Sequence, residues 1–216
     1  MRHSIFLFTQ YLIAAEALAA IAGCLTWNKW KHNYFKWFVI YLLIILIFEL
    51  STHFLVFFKM KEEVPFVNQI VASIEILFIN WFFYKILIGS KKKIIVVGAA
   101  AYITALALEK TLIDTTNYYF DSLSYTVGNL FILVYLILFF IEFANSEKIL
   151  AFKKQTIFWI ALGLLVFYLG TFPFFGLYNE LMKNMDIFTT IAWTATALNY
   201  SMYILFTIGL IWGKPG

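Results

Sequence analysis

The stretch FKWFVIYLLIILIFELSTHFLVFF, residues 35 to 58, decides the fold. It runs as an apolar segment closed by Lys59, Lys61, Glu62 and Glu63, and it is long enough to cross a hydrocarbon core of about 30 Å as a helix. Only a helix or a closed barrel satisfies its own backbone in lipid. Inside the segment stand Glu49 and, four residues on, His53, polar groups in a setting that makes them expensive.

Working outward, six further runs repeat this character. The first spans Ile5 to Trp27 and ends at Asn28, Lys29, Lys31 and His32. Pro65 opens the third, Phe66 to Leu87, as proline does in a first helical turn, and Gly89 with Lys91, Lys92 and Lys93 ends it. The fourth, Ile94 to Leu108, is short and continues through Glu109 and Lys110 toward Ile113, with those charges expected near the headgroups. A polar, aromatic loop from Asp114 to Tyr125 leads to the fifth, Thr126 to Phe143. The sixth, Thr156 to Tyr178, carries Pro173, which should kink it, and the seventh spans Ile187 to Trp212. The expected fold is all-α: a single-domain, polytopic transmembrane bundle of seven helices over residues 1–216.

Composition agrees. Of 216 residues, 63% are hydrophobic, 21% aromatic and 13% charged, with mean hydropathy +0.85, outside the range of ordinary soluble domains. The single cysteine, Cys24, cannot form an intramolecular disulfide or a cysteine-rich metal site. The first run is too long for the apolar core of a cleavable signal peptide, so it is expected to remain as a helix.

Lysines set the expected orientation. The connections after the first, third and fifth runs hold Lys29, Lys31, Lys36, Lys85, Lys91 to Lys93, Lys148, Lys153 and Lys154. The opposite connections mix fewer cations with Glu62, Glu63, Glu109, Asp114, Asp121, Glu180 and Asp186. By the positive-inside rule the N-terminus lies outside and the C-terminus inside. Trp27, Trp30, Trp37, Trp81, Trp159 and Trp212 then fall near the inner interface, expected as belt anchors. The formal net charge of +4 is a topology signal and requires no nucleic acid. One arginine against fifteen lysines, with abundant Phe and Ile, suggests an AT-rich bacterial gene and hence the bacterial cytoplasmic (inner) membrane.

Three carboxylates stand out. Glu16, Glu49 and Glu75 each lie roughly 13 to 17 Å below the outer boundary at 1.5 Å rise per residue. An unpaired acid at mid-membrane costs about 2.5 to 3.5 kcal/mol on insertion scales, so these acids call for a proton, a hydrogen bond or a cation. His53 is the only basic group close by, one turn from Glu49. Asn68 shares a stripe with Glu75, Ser73 shares one with Asn80, Tyr168 falls at the depth of the acids, and Thr196, Asn199 and Tyr203 share a face of the last run. The candidate ligand-binding residues are Glu16, Glu49, His53, Asn68, Glu75, Tyr168 and Asn199. In one account they line an outward-accessible polar cavity for a small cation or protons. In the other the acids are protonated or hydrogen-bonded to Tyr11, Asn68, Asn199 or backbone carbonyls and hold the helices together, each bond worth about 0.6 to 2 kcal/mol. Glu142 is expected as a solvated or snorkelling carboxylate. The small residues of Ala14 to Gly23 and Gly98 to Ala101 suit close helix packing.

Several chemistries lack their residues. His3, His32 and His53 do not supply the histidine set of a seven-helix zinc hydrolase. The last run has no lysine for a retinal Schiff base, and no phosphate-cradling loop or Gly-x-Ser-x-Gly nucleophile is present. No cofactor, metal or catalytic residue is assigned.

The segment Ile74-Glu75-Ile76-Leu77-Phe78, continuing to Phe82-Phe83-Tyr84, and the ending Asn199-Tyr200-Ser201-Met202-Tyr203-Ile204-Leu205-Phe206-Thr207-Ile208-Gly209-Leu210-Ile211-Trp212 resemble a group of small uncharacterised bacterial seven-helix membrane proteins. The resemblance implies the fold and a sensory context beside two-component signalling. The leading expectation is therefore a receptor-like or accessory membrane protein acting through a partner protein at the lysine-rich loops. The alternatives are a secondary transporter of three-plus-one-plus-three helices and a structural subunit of a membrane complex.

Overall fold

The computed structural model describes residues 12–60, 63–112 and 122–214. Its elements are α1 (Leu12–Leu25), the short α2 (Trp27–Trp30), α3 (Phe35–Phe57), α4 (Val64–Ile86), α5 (Lys91–Leu112), α6 (Ser122–Ala144), a 3-10 segment Glu147–Lys154, α7 (Thr156–Gly176), the short α8 (Tyr178–Leu181) and α9 (Met185–Trp212). Among the described residues there is no strand beyond one isolated bridge, Gln155 to Lys214. Among the described residues six helices are long and apolar enough to cross a membrane: Phe35–Phe57, Phe66–Ile86, Lys91–Thr111, Ser122–Ala144, Thr156–Gly176 and Met185–Trp212. The chain is thus a helical protein suited to multi-pass insertion in a bilayer. The expected N-terminal helix is described from Leu12, over 14 residues. Tyr11 and the loop positions 113–121 lie outside the described residues.

The helices pack in a closed order. α1 lies against α3, α3 against α4, α4 against α6, α6 against α7, α7 against α9, and α9 returns to α1. Helix α5 sits outside this ring, packed on α4 and α6. Small residues set the closest approaches. A Cβ on Gly163 would come within 3.0 Å of Phe206 and 3.1 Å of the Met202 carbonyl, so α7 and α9 meet almost backbone to backbone. Without a hydrophobic driving force between helices in lipid, such contacts carry the association. The expected small surface of the first run behaves this way: Ala19, Ala20 and Ala22 are buried, and a Cβ on Gly23 would meet Val39 at 2.8 Å.

Aromatic rings fill the space between α3, α4 and α9. Tyr41 stacks on Phe78 with centroids 4.2 Å apart and planes 3° from parallel. Phe38 touches Phe78, Phe82 and Phe206. The lysine-rich ends gather at one end of the bundle, where Lys29 donates to the Ile211 carbonyl at 2.7 Å and the Lys214 N–H to the Lys154 carbonyl at 2.7 Å.

The structure departs from the sequence expectations at several places. Ser122 to Tyr125 belong to α6 rather than to a loop, because Glu109 caps that helix: its carboxylate accepts from the backbone N–H of Leu123 at 3.0 Å and of Ser124 at 2.9 Å. Glu109 is only 1% exposed, so its carboxylate is turned to these backbone groups rather than to solvent. Helix α5 begins at Lys91, taking in its three lysines. Trp30 is fully buried, its indole N–H donating to Thr26 Oγ1 at 2.8 Å, so it anchors the α2 turn instead of facing a lipid interface. Glu142 is ion-paired with Lys91 at 2.6 Å. Pro173 lies inside α7, which runs on only to Gly176.

Candidate functional site

The polar centre is built from helices that are not all neighbours. Glu16 stands on α1 among alanines, and because these let α3 and α9 close in, the carboxylate is only 4% exposed. The Tyr203 side chain of α9 lies within hydrogen-bonding reach of it. Its Oε2 atom is buried with no hydrogen-bond partner among the described residues. From α4, Glu75 Oε1 accepts a hydrogen bond of 2.7 Å from the Tyr168 hydroxyl of α7. Since α4 and α7 are not adjacent in the ring, this bond crosses its interior.

Glu16 interacts electrostatically with both Glu49 and Glu75. Tyr41 and Tyr203 sense Glu16 and Glu75, and Tyr125 and Tyr168 sense Glu75. Acids from α1, α3 and α4 therefore share one neighbourhood with four tyrosines from α3, α6, α7 and α9. A tyrosine offers an apolar body and one hydroxyl, which suits it to line a polar spot inside an apolar bundle. Glu49 is the most open of the three acids: it pairs with His53 Nε2 at 3.5 Å, and both side chains are about one third exposed, at 32% and 33%.

Asn199 lies one turn before Tyr203 on α9, and its Oδ1 is buried without a partner among the described residues. Thr196, on the same face, bonds back to the Ala192 carbonyl. Asn68 is exposed on α4 and is not joined to the cluster. The other stripe of α4 is structural: Asn80 accepts from the Tyr135 hydroxyl at 2.9 Å, and Ser73 accepts from Tyr102 at 3.0 Å, tying α4 to α6 and α5.

Sequence reasoning missed Asn129, Tyr41 and Tyr125. Asn129 is completely buried on α6, one turn from Tyr125, and neither its Oδ1 nor its Nδ2 has a partner among the described residues. An amide in the middle of an apolar run was the available signal. Among the described residues, Glu16 Oε2, Asn129 Oδ1 and Asn199 Oδ1 are buried acceptors of the interior without a donor, and Asn129 Nδ2 is a buried donor without an acceptor. Leaving such atoms unpaired costs about 1 to 3 kcal/mol each, so the interior suits a species rich in donors. Among the described residues no three His, Cys, Asp or Glu side chains converge closely enough to hold a metal ion. The acids influence one another without focusing on a point.

No family model, no curated protein and no solved structure matches the chain.

Proposed function

We propose that the chain is a seven-helix, receptor-like or accessory membrane protein whose interior polar cluster takes up a small organic cation or protons. The observation that carries this reading is the meeting of Glu16, Glu49 and Glu75 in one neighbourhood where, among the described residues, mostly acceptor atoms are left unpaired. A purely structural network closes its acceptors, as Asn80 and Ser73 do. An ammonium group supplies only donors, and one on an organic frame can reach acids spread too widely for a bare metal ion. His53, beside Glu49 at the open edge, is suited to relay a proton.

In this proposal α1 is the first of seven membrane helices, the N-terminus lies outside and the lysine-rich end faces the cytoplasm of a bacterium. The inner connections are short, so a separate membrane protein docked there reads the change. The resemblance to small bacterial seven-helix proteins fits this sensory reading.

A secondary transporter is the second reading, favoured by the place of α5 outside the ring, which leaves three ring helices before it (α1, α3 and α4) and three after (α6, α7 and α9). Two measurements test these readings. Glu75→Gln should alter affinity for organic amines, or its pH dependence, while the protein stays folded in detergent; unchanged binding contradicts the site. Amine flux into proteoliposomes supports the transporter, and a stoichiometric partner on native purification supports the receptor.

A further inference from the structure

A cavity of about 630 Å³ opens at the lysine-rich end, between the connection preceding α3 and the last turns of α4. Its lining includes Lys36, Lys85, His32, Tyr34, Trp37 and Trp81, and no carboxylate. The two tryptophans meet edge to face with centroids 6.3 Å apart. Each carries a lysine: Lys36 Nζ is 5.5 Å from the Trp37 ring centre and Lys85 Nζ is 5.9 Å from that of Trp81. Neither ammonium has an ion-pair partner among the described residues. Two cations thus flank an aromatic pair in one recess with nothing anionic between them.

The surface leading away from this recess is apolar. Leu77, one turn before Trp81 on α4, and Ile44, two turns after Trp37 on α3, are both exposed and continue the cavity's face toward the middle of the bundle. A soluble anion would use the lysines alone. An anionic lipid would use both features, its phosphate between the ammonium groups and an acyl chain along Ile44 and Leu77. Tryptophan, tyrosine and lysine gathered near the ends of two apolar helices are the residue types that suit a lipid headgroup region.

We infer that this cavity is a binding site for an anionic phospholipid, with Lys36 and Lys85 holding the headgroup phosphate and Trp37 and Trp81 forming its wall. The inference stands independently of the interior acids. The full chain, purified in neutral detergent, is mixed with equal amounts of phosphatidylglycerol and phosphatidylcholine, and retained lipid is counted by native mass spectrometry. Phosphatidylglycerol should be retained preferentially. Each lysine near a membrane surface is worth about 5-fold in affinity for anionic lipid, so Lys36→Gln with Lys85→Gln should reduce retention roughly 30-fold. Lys31→Gln with Lys93→Gln, at the same end but outside the cavity, should leave it unchanged. Trp37→Leu should weaken retention while keeping both charges. An excess of inorganic phosphate that fails to displace the lipid identifies the lipid as the occupant. Displacement by phosphate, equal loss in the two double variants, or no preference between the lipids would overturn the assignment.

Discussion

The Tyr168 hydroxyl reaches across the interior of the helix ring to Glu75, 2.7 Å away, joining α7 to α4 although another helix separates them. The bond places Glu75 within the polar centre and leaves its other oxygen for a further donor. Tyr168→Phe removes the bond and keeps the ring. It should destabilise the protein by about 0.6 to 1.7 kcal/mol, the range for hydrogen bonds between membrane helices. Glu75→Gln retains a carbonyl acceptor and should cost less. Thermal unfolding of the two variants in one detergent checks the order.

Glu109 holds the start of α6 through two backbone N–H groups. Glu109→Ala leaves both donors without their acceptor and should cost about 0.5 to 2 kcal/mol, as loss of a helix cap does. Hydrogen exchange at the amides of Leu123 and Ser124 should accelerate, while Ile132 in the middle of α6 stays protected. Unchanged exchange at the capped amides would contradict the capping role.

Gly98 on α5 faces Tyr135 and Phe131 of α6 so closely that a Cβ would overlap the Tyr135 hydroxyl. That hydroxyl is fixed by Asn80 Oδ1 at 2.9 Å and by the Ile95 carbonyl at 3.4 Å. Gly98→Ala therefore pushes against a pinned group and should destabilise by about 1 to 3 kcal/mol. Combining it with Tyr135→Phe should recover part of the loss, measurable as a double-mutant cycle.

The ion pair between Lys91 and Glu142 is only partly buried, at 32% and 28% exposure. Its removal by Lys91→Gln should cost under about 1 kcal/mol and should matter less at high salt. The check is the dependence of thermal stability on salt concentration.

The apolar runs were legible because lipid imposes one rule on every spanning segment: it must be apolar and satisfy its own backbone. The three costly acids were legible for the same reason, as was the nearness of His53 to Glu49, a matter of spacing along one helix. The arrangement around them was not. That Tyr41, Tyr125 and Asn129 turn inward depends on which helices are neighbours, and tyrosine in an apolar run equally suits an interface belt. Trp30 illustrates the point, since its position suggested a belt and packing buried it. The fate of Glu109 was hidden because its partners are backbone groups on the next helix, which carry no side-chain signature.

If the interior of the ring takes a donor-rich ligand, as proposed, Glu16 and Glu75 should respond to it. Infrared difference spectroscopy on the purified protein, with and without a panel of organic amines, observes carboxyl groups directly. For at least one amine, wild type should show a change in the carboxyl bands, and Glu16→Gln and Glu75→Gln should each remove part of it. If no amine and no change of pH perturbs a carboxyl band that either variant removes, the acids are structural and the proposed site is wrong.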